Sequence, residues 1–245
     1  MQIMTFNIKK FQNYHDVDLC MEEIINYIKN FLKMDRENIA IIQEMPYGIG
    51  ENCKYVKAKK MLGEGYQIIH SRYLPTHTKT LVCAIKDANN KSWDLDDNLI
   101  IGKEDFSNHF LELKYLMNKK NKLKMIGIHM PLPNEKEVDM LRLCYEKWDK
   151  IIKLSSEMYK SSKPLIIAGD LNAHRHPYRN STYQKYLSKF KGYEDCVSDE
   201  IVTCFGPQTT VDHVFCSESL NASLVSAKVE RFSDHAPIIV DISSI

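Results

Sequence analysis

The chain has 245 residues, 44% hydrophobic and 27% charged, the fractions of an ordinary globular protein. With 33 basic and 32 acidic residues the net charge is +1, which excludes a strongly basic polyanion binder but leaves room for a local basic patch. No run of about 18 apolar residues is present to span a membrane, and the 7 cysteines, odd in number and without CxxC spacing, exclude a disulfide framework and a zinc ribbon.

The N-terminal MQIMTFNIKKF lacks the apolar core and small-residue cleavage site of a secretory signal, so a cytoplasmic, reduced protein is expected. Residues 3–7 read as the first strand. From Asp16, a suitable N-cap, Val17, Met21, Ile24, Ile28 and Phe31 recur at helical spacing. Strands are predicted at 39–42, 66–70, 80–86, 110–116 and 123–128, with MNKKNK between the last two as a hairpin turn. Beyond Pro131 and Pro133 a second helix starts near Glu135, carries Val138, Leu141, Tyr145, Trp148 and Ile152 on one face, and ends at Ser161-Ser162-Lys163-Pro164. A strand at 165–168, a weaker helix over Ser181–Phe190, and strands at 211–216, 223–229 and 237–242 complete the chain. Glycine and proline fall singly at turns and no linker or repeat intervenes, which predicts one α/β domain over residues 1–245. Many strands with few helices do not fit a TIM barrel; they fit sheets packed on one another with helices outside.

Several strands end in polar residues that a buried sheet has no use for. TFN ends at Asn7, IAIIQE at Glu44 and KMIGIH at His129. PLIIAGDLNAH runs from apolar residues straight into Gly169, Asp170 and Asn172. TTVDHVF places Asp212 and His213 inside an apolar run, and RFSDHAPIIV places Asp234 and His235 just before the last strand. A divalent-metal phosphoester site needs this inventory. Hard Mg²⁺ or Mn²⁺ takes carboxylate oxygens and keeps water ligands that a phosphate replaces. An imidazole and a non-ligating carboxylate must also reach the phosphorus, to activate water and offset the developing charge.

The ordered set TFN, QE, H, GDLN, VDH and SDHAP resembles the endonuclease/exonuclease/phosphatase superfamily with the deoxyribonuclease-I-like fold, from Asn7 to His235. Each motif alone is weak, and their order carries the likeness. The resemblance implies a four-layer α/β/β/α sandwich, two packed mixed β-sheets flanked by helices, with the site at one edge. It implies Glu44 as the main metal ligand, with Asn7 beside it and Asp234 near the metal. Asp170 would orient or deprotonate the attacking water, and Asn172 would hold a phosphate oxygen. His235 would contact the phosphate with Asp212 orienting it, and His129 would contact the substrate and assist the leaving group. Thr78-Lys79-Thr80 has no acid where the nuclease branch pairs one with this last histidine. The implied activity is a Mg²⁺- or Mn²⁺-dependent phosphodiesterase, a nuclease acting on DNA or RNA as a monomer without a covalent intermediate. The alternatives are a small-molecule or lipid phosphoesterase and a non-catalytic phosphate-binding scaffold.

Other features read as structural. His174-Arg175-His176 reads as a solvated loop near the site. Lys9-Lys10, Lys57-Ala58-Lys59-Lys60 and Lys119-Lys120-Asn121-Lys122 read as solvated faces, which would form a phosphate-tracking groove if they rimmed the site. All the cysteines read as buried and unreactive.

Overall fold

The computed structural model describes the chain except residues 13–15, 49, 51–52, 75–77, 97–106, 118–119, 132–137, 175–182, 207, 229 and 244–245. In chain order the elements are β1 (Gln2–Asn7), α1 (Val17–Met34), β2 (Ile39–Pro46), α2 (Lys54–Leu62), β3 (Tyr66–His70), β4 (Thr80–Asp87), β5 (Trp93–Leu95), β6 (Phe110–Met117), β7 (Lys120–His129), α3 (Val138–Lys160), β8 (Leu165–Asp170), α4 (Gln184–Leu187), β9 (Tyr193–Asp195), β10 (Asp212–Ser217), β11 (Ala222–Ala227) and β12 (Ile238–Ile242). Short 3₁₀ turns cover Lys9–Phe11 and Ser107–His109.

The strands form two six-stranded sheets, ordered β11-β12-β1-β2-β4-β3 and β5-β6-β7-β8-β10-β9. Each sheet is antiparallel except for one parallel pair, β1 with β2 and β7 with β8. Parallel neighbours need a long crossover, and α1 and α3 supply it. One apolar cluster fills the space between the sheets, with Ile41, Val82 and Ile238 from the first facing Leu111, Ala168 and Val214 from the second. A second cluster packs Met21, Ile24, Ile28 and Phe31 of α1 on the outer face of the first sheet, and a third packs Cys144, Trp148 and Ile151 of α3 on the second. The result is the four-layer α/β/β/α sandwich expected from the sequence. A Cβ added to Gly127 would stand 2.7 Å from Ile41 Cγ2, so glycine is what lets the sheets close at that point.

Local sequence explains the elements that were foreseen. Asp16 caps α1, its carboxylate accepting from the N–H groups of Asp18 and Leu19. The helix α2 was not foreseen, because only Ala58 and Leu62 are buried and they make no stripe. The three-residue strands β5 and β9 are too short to show a period. The helix expected over 181–190 contracts to Gln184–Leu187, and the strand expected at 223–229 is Ala222–Ala227. Its residue 229, the expected helix start near Glu135, and Ser181 lie outside the described residues. Cys53 and Cys196 are only partly buried, contrary to the reading of all the thiols as core. Among the described residues no helix is long and apolar enough to cross a membrane.

Candidate active site

The two parallel strand pairs run in such a way that four C-terminal ends meet at one edge of the sandwich. Asn7 ends β1, Glu44 lies near the end of β2, and His129 and Asp170 end β7 and β8 as register partners. The antiparallel strands β10 and β12 start at the same edge, which brings Asp212 opposite Asp170 and the 233–235 turn beside Asn7.

Glu44 reaches the site through a bulge. Between the pairs Ile42↔Cys83 and Met45↔Leu81, β2 carries one more residue than β4, and Glu44 adopts φ +54°. Gly169 has φ +147°, and a Cβ there would lie 1.9 Å from Ile128 O. Only glycine fits that position, directly before Asp170. Asn172 is left-handed at φ +48°; its N–H donates to Asp170 Oδ1 at 2.9 Å and its side-chain amide donates to Met130 O.

A carboxylate–imidazole network fills the centre. His235 Nδ1 is 2.8 Å from Asp212 Oδ2, and its Nε2 is 4.0 Å from Asp170 Oδ2. Asn7 Nδ2 donates to Asp170 Oδ2 at 3.0 Å. His129 Nε2 stands 3.9 Å from Asp170 Oδ2 and 3.7 Å from Glu44 Oε1. Each step from Glu44 through His129 and Asp170 to His235 is thus 4.0 Å or less, within what a metal and one phosphate bridge. Burial pushes the Asp170 carboxyl above the usual range, and the facing Asp212 adds to this, while His235, His129 and the Asn172 N–H pull it back. Burial works against a charged His235, but the charge and hydrogen bond of Asp212, aided by Cys204 and Asp170, push it up to about 12.

Two lysines also reach the site: Lys9 and Lys10 are solvent-exposed, as read, and at the same time rim the site. Lys9, Lys10 and Phe11 are consecutive left-handed residues, at φ 46°, 56° and 55°. Non-glycine residues in that region cost about 1 kcal/mol or more each, and persist only where surroundings hold them. Here Asn7 Oδ1 accepts from Lys9 N–H, and the Phe11 side chain is wholly buried. The turn sends Lys9 Nζ to Asp234 Oδ2 at 2.5 Å and Lys10 Nζ to within 3.6 Å of Glu44 Oε2. Lys54 Nζ in turn donates to Lys10 O.

All eight expected site residues, Asn7, Glu44, His129, Asp170, Asn172, Asp212, Asp234 and His235, therefore lie at this one edge. His213, next to Asp212, points the other way: its nitrogens meet Asp195 Oδ2 at 2.7 Å and Ala173 O at 2.8 Å in the interior. His174 is buried rather than in a solvated loop, and Arg175 and His176 lie outside the described residues. Lys57 pairs with Asp18 on the surface, and Lys119 lies outside the described residues. Sequence reasoning missed His109, whose Nδ1 is 2.9 Å from His129 O and whose ring lies 5.4 Å from the His129 ring. Burial, then the neighbouring His129, lower the His109 pKa to about 4, against the opposing effect of that hydrogen bond.

The donor set suits a hard cation. Glu44 is partly exposed, and Asp234 Oδ1 is buried with no hydrogen-bond partner among the described residues. Carboxylate and amide oxygens of this kind are Mg²⁺ and Mn²⁺ ligands.

The same architecture recurs among solved structures. An endonuclease/exonuclease/phosphatase family protein from Leptotrichia buccalis superposes with TM-score 0.67 at 17% identity, covering 100% of both chains. The fold is that of the endonuclease/exonuclease/phosphatase proteins. Within this deoxyribonuclease-I-like fold, an AP endonuclease from Archaeoglobus fulgidus matches with TM-score 0.63 at 14% identity, over 100% of both chains. A 3′ phosphatase from Neisseria, solved with a product DNA hairpin, matches with TM-score 0.65 at 15% identity over 100% of both chains. No family model matches the sequence, and no curated protein matches it.

Proposed function

We propose that this deoxyribonuclease-I-like chain is a divalent-metal-dependent phosphodiesterase that hydrolyses nucleic-acid phosphodiester bonds. The observation that carries the reading is the Asp212–His235 pair at 2.8 Å with its free-edge nitrogen 4.0 Å from Asp170. A strand end built only for packing has no use for two facing buried carboxylates and an imidazole.

In this reading Glu44 and Asp234, with Asn7 beside them, would hold Mg²⁺ or Mn²⁺, which would supply Lewis-acid stabilisation of charge on the phosphate. Asp170 orients the attacking water and takes its proton. His235, kept as an imidazolium by Asp212, donates from Nε2 to a phosphate oxygen. Asn172 fixes a second oxygen and His129 assists the departing alcohol. Substrate as nucleic acid is favoured by Lys9, Lys10 and Lys54, which line one side of the site and suit successive backbone phosphates.

The test is incubation with Mg²⁺ or Mn²⁺ against plasmid DNA, single-stranded DNA, RNA and a chromogenic phosphodiester, with Asp170→Asn as control. Cleavage of a nucleic acid that EDTA and Asp170→Asn both abolish is the expected result. Hydrolysis of the chromogenic ester alone moves the substrate to small phosphoesters, and no metal-dependent hydrolysis of any substrate removes the reading.

A further inference from the structure

The pairing around Cys204 sets up a second donor set of different chemistry. Cys204 and Thr209 exchange both backbone hydrogen bonds, at 2.9 and 3.0 Å, so their side chains share a face. On its other side Cys204 stands opposite His235. There the ladder bonds belong to the flanking residues, Phe205 N–H to Asp234 O and Ala236 N–H to Thr203 O, each 2.8 Å. A pair of this non-hydrogen-bonded kind brings its side chains closest. The thiol is thereby held beside the imidazole, and one donor atom each from Cys204, Asp234 and His235 lies within 4.8 Å of the others.

Two orphaned groups sit with this set. Thr209, 7% exposed and in the same cross-strand row as Cys204 and His235, has an Oγ1 with no hydrogen-bond partner among the described residues. Asp234, whose side chain is 26% exposed, also has an Oδ1 with no partner among the described residues, its Oδ2 being on Lys9. Buried polar atoms of this kind are normally satisfied, and a bound ion or water is one way to do it.

We propose that Cys204, Asp234 and His235 form a binding site for a thiophilic divalent cation of the Zn²⁺ class. Thiolate, imidazole and carboxylate are the ligands Zn²⁺ takes, and three of them with one open position make a tetrahedral site. Mg²⁺, a hard ion, is not drawn to the sulfur. With Nδ1 committed to Asp212, His235 ligates through Nε2, and Asp212 becomes the carboxylate that orients a metal-bound histidine. Thr209 Oγ1, in the same row as Cys204, would hydrogen-bond a water in the open position. On binding, the Cys204 thiol and the Nε2–H of the His235 imidazolium each release a proton to solvent, and the thiolate with Asp234 balances the two charges of the ion. The consequence for catalysis rests on the proposed phosphodiesterase reading: an ion on Nε2 takes His235 from the phosphate, so Zn²⁺ inhibits.

The decisive experiment is titration of the full, EDTA-treated and dialysed protein with Co²⁺, a spectroscopic stand-in for Zn²⁺. A near-ultraviolet thiolate-to-cobalt charge-transfer band is expected, saturating at one equivalent, displaced by Zn²⁺, and lost in both Cys204→Ser and Cys204→Ala. Absence of the band, or its survival in the two variants, overturns the site, and melting curves confirm that the variants are folded. This readout stands whether or not the chain cleaves nucleic acid. If Mg²⁺-supported activity is present, Zn²⁺ inhibition of Cys204→Ser, read against the variant's own uninhibited rate, should be weaker by about 10-fold or more. Equal Zn²⁺ sensitivity in the variant overturns the inhibitory consequence.

Discussion

Asp170 and Asp212 are direct register partners across β8 and β10, each 2% exposed, with the His235 ring within 4.0 Å of both. Two facing carboxylates repel in a low-dielectric interior, and a shared imidazolium offsets that repulsion. The charge states of Asp170 and His235 are therefore linked. In metal-free protein the His235 ring is expected to remain an imidazolium from pH 6 to pH 9 by NMR. Asp212→Asn should return its titration to the ordinary histidine range and lower the rate by about 10²–10⁴-fold. A wild-type ring that deprotonates near pH 6.5 defeats this account of the network.

His109 makes stability fall in acid. Its folded pKa, about 4, lies below the ordinary value of 6.5. Between those values the unfolded chain binds a proton that the folded one excludes, so stability is present above pH 6.5 and is lost as pH falls towards 4. The slope is about 1.4 kcal/mol per pH unit for one group. Urea unfolding in EDTA at pH 7.0 and pH 4.5, for wild type and His109→Gln, measures it. The variant should lose distinctly less stability between the two, whereas parallel losses would exclude His109 as the source.

Gly169 fixes the path of the chain into Asp170. At φ +147°, with Ile128 O 1.9 Å from any Cβ, Gly169→Ala should destabilise the fold by about 3 kcal/mol or more, through backbone strain and overpacking together. Gly206→Ala, where an added Cβ meets nothing within 4 Å, is the control and should melt near wild type. Similar melting of the two variants would contradict the geometry.

How much of this was legible beforehand follows from where the signal lies. Glu44, His129, Asp170 and Asp212 stand out because a carboxylate or imidazole interrupts an apolar strand, and parallel pairs then bring strand ends to a common edge. Packed sheets with helices outside followed from short strands outnumbering helices, and the four-layer order from the family resemblance. That Lys9 and Lys10 rim the site was left open because nothing in NIKKF marks a left-handed turn. No glycine is present, and the conformation is imposed by Asn7 Oδ1 and the buried Phe11. His109 and Cys204 were invisible for a related reason: each meets the site across a strand pairing, His109 beside β7 and Cys204 opposite His235. Cross-strand register is a tertiary fact, absent from any local pattern. His174 was read as solvated from its polar neighbours, but it lies beyond the end of a buried strand and stays inside.

The last expectation separates the two site histidines. His235 has a carboxylate on Nδ1 at 2.8 Å, which fixes its tautomer and stabilises its charged form. Among the described residues His129 has no such short contact: its nearest carboxylate oxygens, on Glu44 and Asp170, are 3.7 and 3.9 Å from Nε2, and its main chain is tied to the His109 ring. A positioned acid contributes most where the leaving group is poor, because a good one departs without protonation. His235→Ala should therefore cost on the order of 10³-fold or more on any substrate. His129→Ala should cost distinctly less, and less again on a nitrophenyl ester than on a nucleic acid. Measuring kcat/KM for both variants on both substrates decides it. Equal damage on both would mean that Glu44 or Asp170 closes onto His129 when substrate binds and orients it as firmly as Asp212 orients His235.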